Sequence, residues 1–142
     1  MATMERIVVG ADHTPSATSA LRWAVRQATE TGACITVVHA FDVDGRADLA
    51  LERDLERVRR DARYRTQSWV VEVLGDLNTS VPVIVSTPDA SVAQALTTAA
   101  QGALMVVIGE PVIGRNSNLA DVLASACECP VVTVTHDVAV AV

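Results

Sequence analysis

Asp12 stands just past the apolar run IVVGA, and Gly109 closes the run LMVVIG. A carboxylate at the end of a buried strand can accept hydrogen bonds from hydroxyl or amine donors. Glycine lets backbone approach a phosphate and adopt positive φ. Beyond Gly109 come Gly114, Arg115 and the polar trio Asn116, Ser117 and Asn118, then a helical pattern. Asn and Ser cap helix starts, whose free N–H groups attract anions. Arg115 could clasp a phosphate with two hydrogen bonds. This is the chemistry of an anion cradle. All 11 basic residues are arginine, so a phosphate-loop lysine and Schiff-base chemistry are both excluded.

Five runs rich in Val and Ile read as strands: 6–11, 34–40, 81–86, 104–109 and 131–135. Near-continuous apolar runs suit strands buried on both faces. Helical stripes lie between them. One carries Leu21, Ala24, Val25 and Ala28, with Thr14 as cap, Pro15 at the first position and Gly32 as stop. Others carry Val92, Ala95, Leu96 and Ala99, then Leu119, Val122, Leu123 and Ala126. The long connection 44–78 places Leu51, Leu55, Val58, Ala62, Trp69 and Val73 near one face, opposite a run holding six of the 11 arginines. Interspersed Asp and Glu make that run a solvated face. Alternating strands and helices imply an α/β fold: one doubly wound, five-stranded parallel sheet with helices on both faces. The whole chain, 1–142, reads as a single domain. Ligands of such sheets bind beyond the carboxyl ends of the strands, where the order reverses.

Composition narrows the function. Half of the 142 residues are apolar, a fifth are charged, and the net charge is −6. That balance argues against a nucleic-acid or acidic-membrane binder. No run approaches a membrane span or a signal peptide, so a cytoplasmic location is expected. Exclusive use of arginine hints at a GC-rich bacterial genome. Cys34, Cys127 and Cys129 are odd in number and suggest no disulfide framework, and Cys127-Glu128-Cys129 lacks a second ligand pair for zinc. No nucleophile, base and orienting acid can be assembled from neighbouring motifs, so catalysis is not expected. His13 reads as a loop residue able to touch a phosphate or simply solvated, His39 as a satisfied core residue, and His136 as exposed.

IVVGADHTPSATSALRWAV, ITVVHAFD, PDASVAQAL, LMVVIGE and CPVVTV occur in that order and resemble the strands and helices of the universal stress proteins. The resemblance implies strand order 3-2-1-4-5. It also implies a homodimer paired through the last strand, Val131–Thr135, a regulatory or stress-adaptation role, and in some members ATP binding. Gly10, Asp12 and Ala40 match positions that face the nucleotide, and Gly109 matches the first glycine of the ATP loop. The second glycine falls on Val112. The closing Gly-Ser pair falls on Ser117-Asn118, in a shorter loop. Valine resists what glycine permits, and a shortened loop supplies fewer inward N–H groups. The expectation is a degenerate loop with weak or no ATP binding. The alternative is a sensor of ATP, AMP or cyclic AMP using Gly10, Asp12, Ala40, Gly109, Gly114, Arg115, Ser117 and Asn118. A protein partner is expected but not identified.

Overall fold

The computed structural model describes residues 4–12, 14–41, 52–77, 79–110, 118–135 and 138–142, apart from the side chains of 52–54 and 76. Its strands are β1 (Arg6–Gly10), β2 (Cys34–Val38), β3 (Val83–Ser86), β4 (Met105–Gly109), β5 (Val131–Thr135) and β6 (Val138–Ala141). Its helices are α1 (Pro15–Thr31), α2 (Glu52–Leu77), α3 (Val92–Ala99) and α4 (Leu119–Ala126). The sheet order is β3-β2-β1-β4-β5-β6. The first five strands run parallel in the expected order, with the reversal between β1 and β4.

Alternate strand residues face opposite sides, and two cores result. Ile7 and Val9 of β1 and Val107 of β4 pack with Leu21, Ala24, Val25 and Ala28 of α1 and with Val70 and Val73 of α2. Val8 and Val106 pack instead with Leu96 of α3 and Leu123 of α4. β3 starts at Val83 rather than at 81, because Pro82 has no N–H for the ladder, although its carbonyl still accepts from Ile35 N at 2.9 Å.

Local chemistry sets the ends of α1. Thr14 Oγ1 accepts from Ala17 N at 3.2 Å, and Pro15 takes the first turn. Gly32 closes the helix at φ 76°, a left-handed conformation that costs a side-chain-bearing residue about 1–2 kcal/mol. α2 is tied to α1 by Trp69, whose Nε1–H donates to Thr18 Oγ1 at 3.0 Å.

One expectation needs correction. β5 is not the sheet edge and the sheet is not five-stranded, because β6 pairs antiparallel with β5, Thr133 opposite Val140. The Val-Ala tail suits a strand, and pairing satisfies the outward N–H and C=O groups of β5. Ala139 turns toward the α1 core. Val138 and Val140, on the other face, are 63% and 57% exposed.

Replacing Trp69 by Phe should cost about 0.5–1.5 kcal/mol from the lost hydrogen bond. In urea unfolding, Trp69→Phe combined with Thr18→Val should cost less than the sum of the two single changes.

Candidate functional site

The carboxyl end of β1 leads directly to Asp12, which is exposed. Its Oδ1 accepts from Thr14 N at 3.0 Å and from Thr14 Oγ1 at 2.5 Å. The same hydroxyl receives Ala17 N, so carboxylate, cap and helix form one relay. A negative charge there also suits the positive end of α1. Asp12 is thus held by the helix start it precedes. The loop is pinned from β2 as well. Ala11 N donates to Val38 O at 2.9 Å, and His39 Nδ1 lies 2.8 Å from Ala11 O. A carbonyl only accepts, so Nδ1 carries the proton. His39 lies just past β2 and is half-buried rather than in the core as expected, with Nδ1 hydrogen-bonded.

The two glycines beside the reversal do more packing than the sequence suggests. A Cβ on Gly109 would lie 2.5 Å from Ser16 C, 2.6 Å from Ser16 Cβ and 2.7 Å from Ala17 N. Two of these are backbone atoms of α1 and the third is a Cβ fixed to it, so none can step aside. A Cβ on Gly10 would approach Ile108 Cγ2 at 3.2 Å and Leu96 Cδ1 at 3.3 Å, a milder crowding by flexible side chains. Gly109 therefore seats α1 on β4 whether or not a phosphate ever arrives.

A cavity of ≈ 250 Å³ opens on the α3–α4 side of the sheet, lined by Ala40, Ser91, Val92, Ala93, Asn118, Leu119 and Val122. Ala40 stands beyond β2, and the starts of α3 and α4 face each other across the space. Ser91 caps α3, its Oγ accepting from Gln94 N at 3.2 Å. No charged residue is among the described lining. Among the described residues, what attracts an anion is the free N–H groups and dipoles of the two helix starts.

Of the expected site residues, the structure brings Ala40 and Asn118 together at the cavity. Gly10, Asp12 and Gly109 gather at the β1–β4 reversal and are not among its described lining. Gly114, Arg115 and Ser117 lie outside the described residues, as do Val112, Asn116, His13 and His136. Asn118 is the residue before α4 but makes no side-chain capping bond, at φ −104° and ψ 8°, so the expected amide cap is not formed. Ser91, Val92 and Ala93 were not expected to line a site. The signal lay in Ser91-x-x-Gln94, a capping-box spacing that fixes a helix start.

Residues 3–135 match the model of the Universal stress protein family. No curated protein matches the chain in sequence. Among solved structures, a universal stress protein from Archaeoglobus fulgidus is similar at TM-score 0.68 and 21% identity, covering 92% of this chain and 93% of that one. One from the same organism in complex with dAMP has TM-score 0.66 at 19% identity, covering 95% and 100%. A universal stress protein in complex with cAMP has TM-score 0.66 at 15% identity, covering 94% and 99%.

Gly109→Ala should destabilise the ligand-free chain by about 1–3 kcal/mol, the usual cost of overpacking. Gly10→Ala should cost less. Thermal melts without nucleotide separate this packing role from a purely ligand-binding one, which would leave the melting temperature unchanged.

Proposed function

We propose that this chain, which belongs to the universal stress protein family, acts as a regulatory, stress-adaptation homodimer that holds ATP weakly or not at all. The observation that carries this reading is that packing on Ser16 and Ala17 of α1 already requires a glycine at 109, so its presence does not call for a phosphate. Asp12 supports it, because Oδ1 is engaged by Thr14. The sequence adds Val112 where the second loop glycine of ATP binders falls. No described helix is long and apolar enough to cross a membrane, which fits the cytoplasmic location proposed here.

The dimer is proposed at the C-terminal edge expected from Val131–Thr135, now extended by β6. Val138, Val140 and Val142 are 63%, 57% and 52% exposed there. An unpaired apolar edge invites a second strand, and two-fold pairing with another copy would cover both at once.

A second reading, a sensor of a small adenine nucleotide, is favoured by the cavity at Ala40 and Asn118. Its volume lies just below the usual range for small-molecule sites, about 300–1,000 Å³. Similar proteins have been solved with cAMP and with dAMP. An adenine with one phosphate suits this space better than a triphosphate.

Titration calorimetry of nucleotide-stripped protein tests both readings. ATP at millimolar concentration, with or without magnesium, should give no saturable heat. Saturable ATP binding at one per chain would overturn the first reading. Saturable heat from AMP or cyclic AMP alone would establish the second, and Asp12→Ala should then leave affinity nearly unchanged if Asp12 serves only the helix start. Sedimentation at micromolar concentration should find a dimer, and Val140→Lys should shift it toward monomer. A monomer in the unmutated protein would rule the dimer out.

A further inference from the structure

Two cysteines stand at the opposite end of the sheet from the candidate site. Cys127 caps α4 in an extended conformation, φ −95° and ψ 141°, with its N–H donating to Leu123 O at 2.8 Å. Cys129 follows two residues later, just before β5. Both are half-buried, and both pack against one core cluster that includes Leu96, Ala100 and Leu123. Packing against the same cluster puts the two side chains on one side of the chain. Two residues of extended strand span about 6.8 Å at most. A disulfide accepts Cα separations of about 4.4–6.8 Å. The chain also bends at Glu128 and Cys129, which draws the pair closer. Cys129 Sγ–H points to Ala100 O at 3.9 Å, a weak contact that leaves the sulfur uncommitted.

We propose that Cys127 and Cys129 form a redox-active dithiol that closes to an intrachain disulfide when a hydroperoxide is the oxidant. One sulfur attacks the peroxide, the O–O bond breaks, and a sulfenic acid forms with release of an alcohol, or of water from hydrogen peroxide. The second sulfur then displaces the sulfenic oxygen. The S–S bond forms, and the second thiol's proton leaves in water. The two thiols lose two electrons and the peroxide gains two. Burial first, and then the charge of Cys127, push the Cys129 thiol up, against a backbone hydrogen bond and Arg6. The thiolate is the reactive form, so closure should accelerate as pH rises into the alkaline thiol range.

Peptide mass after trypsin tests this on the full chain. Arg115 is the last arginine, so Cys127 and Cys129 share the peptide 116–142, while Cys34 falls in 27–46. After hydrogen peroxide and then iodoacetamide, peptide 116–142 should carry no alkyl group and be lighter by two hydrogen atoms. Dithiothreitol should reverse the change. Cys34→Ser should keep the mass loss, and Cys127→Ser and Cys129→Ser should each abolish it. Three results in the unmutated chain would overturn the proposal, and none depends on a variant folding. They are both cysteines alkylated at peroxide levels that oxidise free glutathione, oxygen added to the sulfurs without hydrogen loss, or 116–142 cross-linked to another peptide.

Discussion

Helix α1 begins against bare backbone, and the carboxyl end of the sheet is organised around that contact. With no side chain on Gly109, Ser16 and Ala17 can rest directly on the end of β4. α1 continues the close approach with small residues, Ala17, Ala20, Ala24 and Ala28, each at most 1% exposed. A helix seated this low brings its first turn to the reversal between β1 and β4. Thr14 and Asp12 are then in reach of each other, and the loop between β1 and α1 can be short. On the other face Gly10 leaves room for Leu96 and Ile108, so α3 closes over the same point. The two glycines relieve crowding on opposite faces. That is how two layers of helix converge on one crevice in a close-packed interior.

Much of this was legible in the residues. The Val and Ile runs gave the parallel strands because burial on both faces leaves no room for alternation. Thr14, Pro15 and Gly32 marked the ends of α1 because capping is decided within a few residues. β6 was less legible. Val138–Ala141 has strand chemistry, but its pairing depends on the free edge of β5, which is tertiary information. Gly109 was only partly legible for a related reason. Gly109 matches the first glycine of a phosphate loop, whereas the neighbour that excludes a side chain there comes from a helix more than ninety residues earlier. Asp12 reads as a ligand acceptor by residue type, yet Thr14, the second residue after it, supplies both donors to Oδ1.

The site itself was half legible. Ala40 and Asn118 meet at the cavity, but Ser91 and its helix start complete it from an element with no glycine or charge to advertise it. The cavity wall is neutral among the described residues, in a chain of net charge −6. A helix start attracts a nearby negative charge by about 0.3–1 kcal/mol when exposed. Two such starts suit a single phosphate. Each further phosphate adds repulsion from an acidic protein and needs its own inward donors. Among the described residues, the small volume and the neutral wall both favour the single-phosphate reading proposed above over a triphosphate.

The two ends of α4 connect separate regions of the molecule. Asn118, Leu119 and Val122 face the cavity, and Cys127 closes the far end over the core shared with α3. The helix is only eight residues long, so a change at its C-cap lies about 12 Å from its start at 1.5 Å per residue. Leu123 is fully buried between those ends and anchors the helix to the sheet. Leu119 and Ala120 pack against the same cluster, so the helix is seated along its length. One short helix thus borders both the cavity, at its start, and the cysteine pair, at its end, with Leu123 packed in the core cluster that Cys127 and Cys129 also touch.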